Sequence, residues 1–123
     1  MDSLNYIPLR ATSQYSLLEG AMKIESIVEK AINHNIPAVG LTDRNNLFGA
    51  LEFSEKLIDK GIQPIIGCNL SFYDQKNDGS IVCLAKNEQG YKNLIKLSSE
   101  LFLTNDDEKL SLNRLSELNE GLI

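Results

Sequence analysis

Apolar positions recur along the chain with two different periods. Ile24, Ile27, Val28, Ala31 and Ile32 fall at i, i+3, i+4, i+7 and i+8, the core-facing stripe of an amphipathic helix. Lys23, Glu25, Glu29 and Lys30 cover its other side, so the spacing predicts a helix over 23–34. Asn35 before Ile36-Pro37 stops it, because the residue preceding a proline avoids the helical region. A second helix is predicted over 47–60 on Leu47, Ala50, Leu51, Phe53, Leu57 and Ile58, with Gly61 placed to end it. A third, over 88–103, has Tyr91, Leu94, Ile95, Leu101 and Phe102 on its inner face and Asn87 as its cap. A short last helix spans Ser111 to Leu118.

Between these helices lie short apolar runs suited to buried strands. They are Asn5–Leu9, Ala38–Leu41, a run within Ile62–Tyr73 centred on Ile65–Cys68, and Ile81–Ala85. Thr42–Asn46 reads as a polar loop, Asp74–Gly79 as a turn and Thr104–Lys109 as an acidic loop. Strands alternating with helices imply an α/β fold with parallel strands and helical crossovers, here near Ile7, Val39, Ile65 and Val82. Leu122-Ile123 looks like the opening of another strand. The expectation is therefore that residues 1–123 are part of a domain that continues, with sheet edges left to be paired.

Composition adds bounds to this picture. Hydrophobic residues make up 42% of the 123 and charged residues 24%, which supports a folded core and argues against global disorder. The 12 basic residues are outnumbered by 17 acidic ones, giving a net charge of −5. A surface that grips DNA needs clustered Lys and Arg to displace counterions, so direct duplex binding by this segment is not expected. Cys68 and Cys83 lie in apolar strand-like runs and match no zinc spacing. The N-terminus is too polar for a signal peptide, and no apolar run approaches the roughly 20 residues of a membrane span. The expected location is the cytoplasm.

In parallel α/β folds, ligands gather at the C-terminal ends of the strands. The residues expected there are Arg10, Thr12, Asp43, Arg44 and Asn69. No motif among them carries chemistry by itself: there is no G-x-G-x-x-G and no P-loop. Asp43 reads equally as a ligand or base and as a loop-capping carboxylate. Arg10 and Arg44 read equally as site residues and as solvated loop charges. The single histidine, His34, sits at the end of the first helix without a visible partner and reads as a helix-end residue.

Four blocks in sequence give a more specific signal. Pro8-Leu9-Arg10-Ala11-Thr12-Ser13-Gln14-Tyr15-Ser16-Leu17-Leu18-Glu19-Gly20-Ala21 resembles the opening motif of the alpha subunit of bacterial DNA polymerase III. So do Gly40 to Phe53, Gly61 to Gly67 and Leu118 to Ile123. The resemblance implies the N-terminal part of a PHP (polymerase and histidinol phosphatase) domain, a truncated portion of a distorted (β/α)₇ barrel. It implies a parent enzyme that performs template-directed DNA synthesis in chromosome replication. That parent's catalytic carboxylates, its Mg²⁺ ions and its DNA contacts would lie downstream of this chain.

The resemblance also implies what the local site has become. Metal-binding members carry H-x-H where this chain has Arg10 and Thr12, a His at Arg44 and a Glu at Asn69. On that comparison Asp43 is the one ligand position retained, and no catalytic residue, metal or cofactor is expected in this segment. An Arg10–Asp43 or Arg44–Asp43 contact is expected in place of the cations. The segment is then structural and docks a separate proofreading exonuclease subunit. The rival expectation is an active metal-dependent phosphoesterase or proofreading exonuclease, which needs the ligand set that is mostly absent. A third, an unrelated nucleotide-binding domain, lacks a glycine-rich phosphate loop.

Overall fold

A computed structural model describes residues 6–16, 22–74, 77–103 and 110–123. In chain order the elements are α1 (Ile24–Asn33), β1 (Ala38–Arg44), α2 (Ala50–Asp59), β2 (Gln63–Asp74), β3 (Asn77–Leu84), α3 (Glu88–Leu103), β4 (Leu110–Ser111) and α4 (Leu112–Glu117). The expected loops at Glu19-Gly20 and Thr104–Lys109 lie outside the described residues.

Both early helices end in the same way. Asn35 adopts a left-handed φ of 54°, and Ile36 donates to the Ala31 carbonyl while Asn35 donates to that of Ile32. Gly61, at φ 76°, lets Ile62 reach the Leu57 carbonyl and itself bonds Ile58. In both, the residue after the left-handed turn bonds back five positions and drops an isoleucine onto the core. Asn87 caps α3 as expected, accepting from Gly90 N–H at 2.9 Å. Ser111 caps α4, accepting from Asn113 N–H.

The expected helix stripes are too wide by a few residues. Ile32 of α1, Leu51 and Ile58 of α2, and Tyr91 and Ile95 of α3 are exposed rather than core. Helical spacing locates a face but does not say how much of it the sheet covers. Here the covered stripe is only Ile24, Ile27, Val28 and Ala31 on α1, and Ala50, Phe53 and Leu57 on α2.

β1 and β2 pair in parallel, with Gly40 opposite Ile65 and Asp43 opposite Cys68. β1 runs through Arg44, so Thr42, Asp43 and Arg44 are strand rather than loop. β3 corrects the parallel expectation near Val82: it pairs antiparallel with β2, Cys68 opposite Cys83, through a hairpin. The eight residues between Phe72 and Ile81 cannot hold the crossover of a dozen or more residues that a parallel return needs. β4, unforeseen in the sequence, lies parallel to β2 at Phe72 and Tyr73.

The expected first strand near Ile7 is a bulged segment instead. Gly40 donates to the Pro8 carbonyl and accepts from Ala11, so Leu9 and Arg10 together face one residue of β1. A Cβ on Gly40 would come within 2.9 Å of the Leu9 backbone, so the bulge folds over a residue with no side chain. Pairing becomes regular at Ala11, which bridges Leu41 in parallel.

The helices share one face of the sheet. Val39, Leu41 and Ile66 pack with Ile24, Phe53 and Leu57. Cys68, Leu70, Phe72 and Cys83 pack with Leu94, Leu97, Leu101 and Leu110. Since strand side chains alternate, Thr42, Arg44, Gly67 and Asn69 belong to the opposite face. Among the described residues no helix is long and apolar enough to cross a membrane.

Candidate functional site

The expected site residues separate across the sheet. Asp43 shares the helix-facing side with Leu41 and Cys68, and it is 1% exposed. Arg44 and Asn69 are register partners on the other side. Thr12 falls between Ala11, which packs on the helix-side core, and Ser13, which bonds Asp43, so backbone alternation puts it opposite those two. Arg10 lies in the bulge and is exposed.

Asp43 is the centre of a buried polar network. Ser13 donates to it twice, from its backbone N–H at 2.6 Å and its hydroxyl at 2.5 Å. The Ser16 hydroxyl donates at 2.7 Å. Ser16 Oγ in turn accepts from Arg44 N–H, and Ser13 Oγ accepts from Tyr15 N–H. Three donors converge on this one carboxylate and satisfy it as an acceptor. The expected arginine contact is thereby replaced by serines. Arg44 is the wrong partner for a reason of parity, since the side chain next along a strand from Asp43 leaves by the opposite face, and Arg10 stands exposed on the bulge.

Two asparagines complete the strand ends. Asn45 has a left-handed φ of 55°, which its short polar side chain tolerates. Its N–H bonds the Asn69 carbonyl, and its side chain accepts from Ser71 N–H at 2.9 Å, extending the β1–β2 ladder where β1 ends. Asn46 donates to the carbonyls of Tyr15 and Arg44, each at 3.0 Å, and accepts from Phe48 N–H. It thereby ties the turn carrying Tyr15 to the loop carrying Phe48, whose rings meet edge to face at 6.3 Å. Below it, Cys68 Sγ donates to the Asn46 carbonyl at 3.5 Å. Burial pushes the Cys68 thiol up to about 12 and raises Cys83 as well.

On the open side, Asn69 Oδ1 is buried without a partner. Arg10, Thr12, Arg44 and Asn69 do not fit a catalytic metal of the phosphoesterase type. Such ions take imidazole and carboxylate ligands, and guanidinium has no lone pair to give. No group of three or more His, Cys, Asp or Glu side chains is placed to hold a metal among the described residues. Ser13, Ser16, Asn45 and Asn46 are the structural residues that sequence reasoning missed. Hydropathy gives them no signal, because their roles rest on contacts between segments far apart in the chain.

The PHP domain profile matches residues 8–123. The chain belongs to the PHP domain family. It is 47% identical over 122 residues to the DNA polymerase III subunit alpha of Rickettsia prowazekii, covering 96% of this chain and 10% of that protein. Identity to the Caulobacter vibrioides subunit is 40% over 129 residues, covering 96% and 11%. Identity to that of Chlamydia trachomatis is 42% over 107 residues, covering 78% and 9%. The similarity lies in the N-terminal region of these subunits, and the chain spans about a tenth of their length. Among solved structures, a Bifidobacterium adolescentis protein assigned to the metal-dependent phosphoesterases superposes with a TM-score of 0.62 at 13% identity, over 81% of this chain and 34% of that one. An amidohydrolase from Chromobacterium violaceum, with bound sulfate and no metal, gives 0.63 at 21% identity, over 77% and 32%. These two show the fold: mixed α/β with parallel strands, as in barrels of this type.

Proposed function

We propose that this chain is the opening part of the PHP domain of a DNA polymerase III alpha subunit and serves there as scaffold and docking surface rather than as a hydrolase. The observation that supports this most is the fate of the family's ligand positions. Arg10, Thr12, Arg44 and Asn69 offer no metal-binding donor set, and Asp43 is committed to Ser13 and Ser16 on the other side of the sheet. The polymerase reaction, its Mg²⁺ ions and its DNA contacts belong to later parts of the parent, which acts in the cytoplasm. The remaining strands of a (β/α)₇ barrel follow Ile123. They would cover the face that the helices leave open, where Asn69 Oδ1 lacks a partner.

A segment without its own hydrolytic site leaves proofreading to a separate exonuclease subunit, which this domain holds. The test is co-purification of the full-length parent from its native host. Recovery of an exonuclease in stoichiometric amount is expected, and a parent that never retains one would refute the docking role. The purified 123-residue chain is expected neither to extend a primer nor to bind duplex DNA tightly, which a gel-based extension assay and a salt series check.

A further inference from the structure

We propose that Cys68 and Cys83 form a reversible thiol–disulfide pair across the β2–β3 ladder, coupled through Asn46 to the loop that sets Phe48 against Tyr15. The two residues are direct register partners on adjacent antiparallel strands and share one core cluster. Ala85 N–H donates to the Ile66 carbonyl at 2.8 Å, which fixes the alternation and makes the Cys68–Cys83 pair a hydrogen-bonded one. Cα atoms at such positions lie about 5.5 Å apart, inside the roughly 4.4–6.8 Å span of disulfides. The Cβ atoms stand somewhat wider than a relaxed disulfide prefers, so the bond is strained and easily reduced.

Burial keeps both thiols protonated in the closed fold, so the pair is quiet there. On its other edge β3 is held as well, Leu84 exchanging two hydrogen bonds with Ile123, so the β2–β3 ladder opens with the Gly121–Ile123 segment carried along on β3. Once it opens, a small-molecule disulfide such as oxidised glutathione is the electron acceptor. The Cys83 thiolate attacks one glutathione sulfur, and the other glutathione leaves as thiolate and takes up a proton. Cys68 thiolate then attacks the Cys83 sulfur of the mixed disulfide and releases the second glutathione. One sulfur–sulfur bond breaks, one forms, and both protons end on glutathione. Cys68 can no longer donate to the Asn46 carbonyl, the contact that seats the Asn45–Phe48 loop from below.

The experiment incubates the purified chain with oxidised and reduced glutathione over a range of ratios, followed by intact mass and peptide mapping. The expected result is a loss of about 2 Da with a Cys68–Cys83 cross-link, reversed by dithiothreitol. Cys68→Ser should stop at the glutathione adduct on Cys83, and Cys83→Ser, which lacks the attacking thiol, should form no cross-link and little adduct. Amide exchange at Arg44–Phe48 should be faster in the oxidised chain. Adduct without cross-link in the wild type, or cross-linking only in urea, would overturn the pair. Unchanged exchange in a cross-linked chain would overturn the coupling to the loop.

Discussion

Ser13 binds Asp43 through both its backbone N–H and its hydroxyl, at 2.6 and 2.5 Å, across 30 residues of chain. This clamp ties the segment before α1 to the end of β1 and makes Asp43 a structural residue. Asp43→Ala is expected to cost about 3 kcal/mol, since it strands buried donors that had been bonded to a charge. Asp43→Asn should cost less, about 1–2 kcal/mol, because serine hydroxyls can turn to meet an amide. Arg10→Ala, on an exposed bulge, should stay within about 0.5 kcal/mol. Urea unfolding of the three variants checks this, and a neutral Asp43→Ala would remove the clamp from the account.

Gly67 is required by the ladder rather than by its own conformation. A Cβ there would meet the Cys83 carbonyl oxygen at 2.6 Å and the Leu84 side chain at 2.7 Å. The first of these is backbone and cannot swing away, so Gly67→Ala should cost about 1–3 kcal/mol. Gly79, farther along the same hairpin, has open space around it, and Gly79→Ala should fall within about 0.5 kcal/mol. Thermal unfolding of the pair separates the two cases.

Much of this was readable beforehand, for identifiable reasons. The bounds of α3 and the stops at Asn35 and Gly61 follow from local chemistry, and the structure keeps them. Local chemistry could not say that Leu51 and Ile58 face outward, because that depends on how far α2 rolls over β2. The direction of β3 was available in principle, since the connection from β2 is too short for a crossover. The candidate site turns on one element. By sequence Thr42-Asp43-Arg44 reads as a polar loop, where neighbouring residues can converge. As strand, they alternate, and Asp43 parts from Arg44 and Asn69.

The thiols give a pH dependence with a definite sign. Cys68 is raised from 9.0 to about 12 by burial, and the Asn46 carbonyl contact only partly opposes this. A group whose pKa is raised on folding contributes stability that is complete below its unfolded value and lost as pH climbs toward the folded value. The chain should therefore weaken between roughly pH 9 and pH 12. Cys68→Ala, though less stable at neutral pH, should show a shallower alkaline decline in urea midpoint. Parallel slopes for wild type and variant would show that Cys68 does not drive the loss.

Metal titration puts the site assignment at risk most directly. A divalent ion of the phosphoesterase type needs several imidazole or carboxylate ligands converging from neighbouring strand ends. On the open side of this sheet the corresponding groups are a guanidinium, a hydroxyl and an amide, at Arg44, Thr12 and Asn69. Among the described residues the carboxylate at the same level, Asp43, leaves by the opposite face and already accepts three hydrogen bonds. To ligate an ion there, it would have to give up Ser13 and Ser16 and draw the ion into a site it occupies at 1% exposure. Calorimetric titration with Zn²⁺ or Mn²⁺ should therefore show no stoichiometric tight site, and the wild type and Asp43→Asn should give the same isotherm. Thermal stability should be unchanged by a chelator, since no ion is bound to the native state in preference to the unfolded one. A tight one-to-one isotherm that Asp43→Asn abolishes would mean that the carboxylate is a ligand after all, and the structural role assigned to the serine clamp would fall with it.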